Sequence, residues 1–145
     1  TYTIGDAKIT IVGPVGTPED LNNASVVMKI VYGKNSFLFT GDAEAKSEKQ
    51  ILANGADIKA DVLKLGHHGS STSTSEEFLK VVSPSLALIS CGKDNDYGHP
   101  HKETIEKLEK YNIPYERTDI KGTIVVGSDG EHLSTAFPDN KTAEK

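Results

Sequence analysis

The sequence has no tryptophan, a single cysteine (Cys91), a single methionine and only 6% aromatic residues. One thiol excludes an internal disulfide framework and a four-thiolate zinc site. No apolar run exceeds four residues, as at 86–89, whereas a bilayer-spanning helix needs roughly 20. Positive charge is also scarce. Sixteen Lys and Arg face 21 Asp and Glu, for a formal net charge of −5. That balance excludes a surface that grips nucleic acid by bulk charge alone. It leaves room for a local phosphate site built from a metal or from backbone amides. The start, Thr1-Tyr2-Thr3-Ile4, has no initiator Met, no basic region and no apolar signal stretch, which suggests a processed product or an excised piece of a longer protein.

What is present suits one domain. The length is 145 residues, and 36% apolar content suffices for a packed core and is too high for a disordered chain. Residues 8–12, 25–31 and 36–40 read as strands, the last two joined by a tight hairpin at Tyr32-Gly33-Lys34-Asn35. Residues 14–23 hold two prolines, one glycine and two asparagines and read as a loop. A helix is predicted over 43–53, stopped by Asn54-Gly55. A short buried strand follows at 61–65. Ser73-Thr74-Ser75-Glu76-Glu77 offers a capping box into a helix with Phe78, Leu79, Val81 and Val82. A strand at 86–90, a helix at 102–111 and short strands at 115–117, 123–126 and 131–134 complete the pattern. Residues 138–145 read as a frayed tail. Alternation of strand and helix from residue 36 onward predicts an α/β layer with helices against a sheet.

In such layers, sites form in loops at the carboxyl ends of strands. Three such loops carry ligand-type residues. They are Thr40-Gly41-Asp42, then Gly66-His67-His68-Gly69-Ser70, then the stretch containing Asp94, Asp96, His99 and His101. Imidazole and carboxylate are the ligand set for zinc, manganese or iron, and bridged pairs of such ions serve hydrolysis. Taken singly, each loop also has a structural reading. Asp42 suits a helix N-cap. His67-His68 suits a turn, and His99 and His101 a helix start. Ser70 suits a turn or cap donor, although hydroxyls and amides at a helix start also hold phosphate. His132 reads as surface, and Cys91 as a small core residue. Together the three loops favour a site.

Three stretches resemble the metallo-β-lactamase-like domain at the carboxyl end of ComEC-type competence proteins: Phe37-Leu38-Phe39-Thr40-Gly41-Asp42-Ala43-Glu44, Ala60-Asp61-Val62-Leu63-Lys64-Leu65-Gly66-His67-His68-Gly69-Ser70, and Tyr97-Gly98-His99-Pro100-His101. The likeness runs from about residue 22 to 130. It implies a four-layer αβ/βα sandwich with a two-metal hydrolase site, in a membrane protein that takes up DNA during natural transformation. The lactamase-like domain, on the extracytoplasmic side, would degrade the non-transported strand. By the resemblance, Asp42 is a bridging metal ligand and His99, with His101 close behind, a late ligand. His68 would donate a proton to the leaving oxygen or hold the phosphate, assisted by Ser70; His67 would ligate metal, or exchange roles with His68.

The chain departs from that pattern in one large respect. The His-x-His-x-Asp-His run of the first half of the domain is absent, and Asn22-Asn23 stand where relatives often carry another ligand. The chain therefore reads as the carboxyl-terminal half of the sandwich: a mixed sheet with helices on one face, spanning residues 1–137. The complete domain would hold two zinc or manganese ions; this half would hold part of that site or none. Its expected partners are DNA in the complete protein, the missing first half, and a second copy of itself through the bare sheet face. Two other functions remain open: a non-catalytic binding or scaffold module, and a different phosphodiesterase or hydrolase of the same superfamily. Lys64, Lys93 and Lys102 are the few candidates for a basic approach path.

Overall fold

The computed structural model describes residues 1–139. A meander opens the chain: β1 (Tyr2–Ile4), β2 (Ala7–Gly13), β3 (Val27–Tyr32) and β4 (Asn35–Phe39), each antiparallel to the one before. Parallel pairing then takes over through β5 (Val62–Lys64), β6 (Leu86–Ile89) and β7 (Tyr115–Arg117). The result is one seven-stranded sheet in sequence order. The change from antiparallel to parallel has a simple cause. Parallel neighbours need long crossovers, and helices α1 (Ala45–Ala53), α2 (Glu76–Val82) and α3 (Lys102–Lys110) supply them. The short α4 (Thr118–Lys121) and the hairpin of β8 (Val125–Ser128) and β9 (Leu133–Ala136) end the fold.

Pairing register sorts the residues onto two faces. One row, Lys29–Leu38–Leu63–Ala87–Tyr115, faces the helices. Its apolar members share one core with Ile51 of α1, Phe78, Leu79 and Val82 of α2, and Leu108 of α3. The expected mixed sheet with helices on one face is thus observed. The next rows face the other way: Tyr2–Ile9–Ile30–Phe37–Val62–Leu86 and Ile11–Met28–Phe39–Lys64–Leu88–Glu116. Ile124 and Val126 line a cavity against the middle of that second face. Its outer end is bare, with Tyr2 66%, Ile4 69% and Ile11 43% exposed.

Local differences from the sequence expectations have local causes. The cap of α2 is Ser75, whose side chain accepts from the Phe78 amide. Ser73 is not the cap; its hydroxyl is turned to the Ala43 carbonyl, to which it donates at 2.8 Å. Edge strand β1 and the single turn α4 carry no periodic signal long enough to read. Of the expected tail at 138–145, residues from 140 on lie outside the described residues. Pro138 and Asp139 form a turn, and Asp139 accepts from the Thr123 amide at 2.6 Å.

Candidate active site

Parallel strands β4, β5 and β6 end at the same edge of the sheet, so the three ligand-bearing loops emerge side by side. Backbone bonds lock them together. The His67 amide donates to the Gly41 carbonyl at 2.9 Å, and the His101 amide donates to the Gly69 carbonyl at 3.0 Å. The approach is close enough to require glycine at two points. A Cβ on Gly66 would lie 2.8 Å from the Ala43 carbonyl oxygen, and one on Gly69 (φ +82°) would lie 2.7 Å from Pro100 Cβ.

Between those glycines, a single 3-10 turn carries His67 (φ 47°, ψ 47°) and His68 (φ 56°, ψ 25°), both left-handed. Each such L-residue costs about 1–2 kcal/mol. Two in succession mark a backbone whose surroundings over-determine it. The rings of His67, His68 and His99 lie 5.5–6.3 Å apart, centroid to centroid. With Asp42 and Tyr97 they line one cavity of about 220 Å³.

Hydrogen bonds fix how each ring presents itself. His68 Nδ1 lies 2.7 Å from the Ser90 carbonyl. A carbonyl only accepts, so Nδ1 carries a proton, and Nε2 faces Asp42 Oδ1 at 3.5 Å. His67 Nδ1 lies 3.2 Å from Glu44 Oε1. The same oxygen accepts from Thr72 Oγ1 at 2.9 Å and from Asn22 Nδ2 at 3.3 Å. Glu44 is held by Thr72 and Asn22 and in turn orients His67. Asn95 staples the third loop, accepting from the His99 amide at 2.9 Å and donating to the His99 carbonyl at 2.6 Å. Burial, then the imidazoles of His101, His67 and His68, push His99 below the usual histidine range, and Asp42 opposes the shift.

Asp42 is not a helix cap: α1 begins at Ala45, with Glu44 in the capping position. His101 stands behind the site with both ring nitrogens committed. Nδ1 accepts from the Ser71 amide at 3.0 Å, and Nε2 meets the Tyr97 carbonyl at 3.2 Å. Ser70 is buried, its hydroxyl paired with Thr72 Oγ1 at 3.0 Å. Lys64 ends β5 on the second sheet face; burial holds its ammonium below the usual lysine range, and Asp42 counteracts. Four of the sequence candidates therefore line one cavity (Asp42, His67, His68 and His99), and two shape the loops around it (Ser70 and His101). Glu44 and Tyr97 were legible only as members of the quoted motifs; the contacts of Glu44 reach His67 and Thr72, 23 and 28 residues further on.

Among the described residues, no three His, Cys, Asp or Glu side chains form a ready metal cage. The donor chemistry nonetheless fits a divalent cation. Metal-binding histidines characteristically give their second nitrogen to a carboxylate or a backbone carbonyl, as His67 and His68 do here. Two ligands about 2.0–2.2 Å from a tetrahedral ion lie about 3.4 Å from each other, near the 3.5 Å between His68 Nε2 and Asp42.

Strand-end loops carrying imidazole and carboxylate suit a metal-binding member of a layered α/β family, and comparison with known proteins gives the family. The profile of the metallo-beta-lactamase superfamily matches residues 3–93, and the chain belongs to that superfamily. Among individual relatives, the chain is similar to ComE operon protein 3 of Bacillus subtilis, with 42% identity over 83% of this chain and 16% of that protein. It is 48% identical to Recombination protein 2 of Haemophilus influenzae over 72% of this chain and 13% of that protein. It is 38% identical to Competence protein ComA of Neisseria gonorrhoeae over 74% of this chain and 16% of that protein. The chain thus spans about one-sixth of the length of these relatives.

Proposed function

We propose that the chain is the carboxyl-terminal half of a metal-dependent phosphodiesterase domain that cleaves DNA, within a membrane protein serving DNA uptake. The observation that carries this reading is the convergence of Asp42, His67, His68 and His99 on one cavity, with two rings oriented from behind. The names of the relatives supply the competence setting. Among the described residues, no helix is long and apolar enough to cross a membrane.

Asp42 and His68 form the nearest donor pair, and His67 and His99 close the adjoining sides of the cavity. A divalent cation bound there, zinc or manganese, supplies charge neutralisation at the phosphate and activation of the attacking water. The chain's own residues set the geometry. Glu44 and the Ser90 carbonyl hold the two tautomers, Asn95 holds the His99 backbone, and His101 and Ser70 act as positioning residues. The bare rows of the second sheet face fit the missing first half of the sandwich, which would add the remaining ligands. Without that cover the isolated chain should self-associate through the same apolar face, and a strict monomer by light scattering at high concentration counts against it.

The test is cleavage of an oligodeoxynucleotide by the domain extended upstream. Cleavage should require manganese or zinc and fall more than about 100-fold in Asp42→Ala, the scale of losing a main electrostatic contributor. Cleavage indifferent to chelation and to Asp42→Ala would leave the histidine loops a scaffold role.

A further inference from the structure

Tyr97 stands apart from the other residues lining the cavity. Its side chain is not part of the donor set, yet it sits at the rim and is 77% exposed. Its ring stacks on His99 with centroids 5.6 Å apart and planes 15° from parallel. His99 in turn stacks on His68 at 6.1 Å and 23°. Three rings thus form a short, nearly parallel column that starts at the donor pair and ends at solvent.

The backbone beneath this column is fixed. The Tyr97 carbonyl meets His101 Nε2 at 3.2 Å, and the Gly98 amide donates to the Asn95 carbonyl at 3.3 Å. The outer face of the ring is open. Next to the column lies a second cavity of about 200 Å³, lined by His68, Cys91, Gly92, Asn95, Tyr97 and His99. Its lining is mostly apolar, and the amide group of Asn95 is already committed to Gly92 and His99. A planar, weakly polar group suits this space better than a charged one.

We propose that Tyr97 is a base-stacking platform, holding one nucleobase of a single-stranded substrate so that the adjoining phosphodiester falls over Asp42 and His68. The inference rests on the phosphodiesterase reading and adds the recognition element to it. Stacking on an aromatic ring tolerates any base, because every base has a π face. It also gives a chain of net charge −5 a way to hold nucleic acid without a basic surface. Tyr97 is a specificity residue in this scheme, while the chemistry remains with the donors behind it.

Binding of two fluorescently tagged strands to this chain, measured by anisotropy, tests the proposal. One strand is a short oligodeoxythymidylate; the other has the same length and charge but abasic sugars throughout. The base-bearing strand should bind about tenfold more tightly, the scale of one base–aromatic stack. That ratio should collapse to near one in Tyr97→Leu and survive in Tyr97→Phe, which keeps the ring. Because Tyr97 is exposed, neither variant should disturb the fold, and circular dichroism checks this. Unequal binding that persists undiminished in Tyr97→Leu, or equal binding of the two strands by the unsubstituted chain, overturns the stacking role alone. Absence of binding to either strand overturns the nucleic-acid reading and the stacking role with it.

Discussion

Glu48 lies on α1, is 1% exposed, and touches neither the candidate donors nor water, yet it holds the histidine loop in place. Its carboxylate accepts from the amides of Thr74 and Ser75, the latter at 2.8 Å, just before α2. Lys107 of α3 donates to the Thr74 carbonyl at 2.6 Å and completes the clamp. Removing the carboxylate with Glu48→Ala leaves two amides, one buried and one partly buried, without an acceptor. Each unsatisfied group costs about 1–3 kcal/mol, so the expected loss is roughly 2–6 kcal/mol. Glu48→Gln keeps one acceptor and removes the buried charge, so its loss is smaller at neutral pH. The pH dependence distinguishes this from generic damage. Burial raises the Glu48 pKa above its ordinary 4.5 in the folded chain, so the folded state binds that proton more tightly than the unfolded state. The resulting stability is fully present below pH 4.5 and is lost as pH rises through the raised folded value. Gln has no such dependence. Urea denaturation at acid and neutral pH should therefore show the unsubstituted chain losing stability relative to Glu48→Gln as pH rises. A difference that stays constant with pH, or an Ala variant within about 0.5 kcal/mol of the parent, the range of an ordinary surface change, would refute the clamp.

Two further substitutions probe the site itself. Glu44→Gln should weaken zinc binding by about 10–100-fold in titration calorimetry, the scale of losing a carboxylate that orients a metal-binding histidine; unchanged affinity would sever Glu44 from the site. Gly69→Ala puts a Cβ 2.7 Å from Pro100 at a φ of +82°, so its melting temperature should fall by several degrees, the shift expected for a loss of about 1–2 kcal/mol. An unchanged melt would mean the two loops part easily.

Much of the frame is written in local pattern. Strand 115–117 has the expected bounds, and the other core strands and helices shift by two residues or fewer at each end. Those segments are short but strongly periodic, and hairpin chemistry at Gly33-Lys34 sets the β3–β4 pairing directly. The misses are contacts made at long range. Ser73 looks like a cap until its hydroxyl meets Ala43, thirty residues away. Glu44 follows a glycine–aspartate pair with no sign of its role, because its partners His67 and Thr72 lie 23 and 28 residues further on. His101 shows the same limit from the other side: its spacing suggests a ligand, but which of its nitrogens remain free depends on Ser71 and Tyr97.

The arrangement around His68 has a consequence for how the site works. A carbonyl behind the ring fixes a proton on Nδ1, and an aspartate lies ahead of Nε2. Two acceptors facing each other at that distance repel unless something positive lies between them, either a second ring proton or a cation. A fold seeking only stability would turn the ring or replace the aspartate. This one holds two consecutive histidines in left-handed backbone, at a cost of about 1–2 kcal/mol each, and braces their rings from behind. The strain and the facing lone pairs are borne at the same point. Both are accounted for if the pair exists to receive positive charge, and in this superfamily a divalent cation is the ordinary source of it. Cation binding should therefore weaken as pH falls, the linkage expected wherever a metal and a proton compete for one nitrogen.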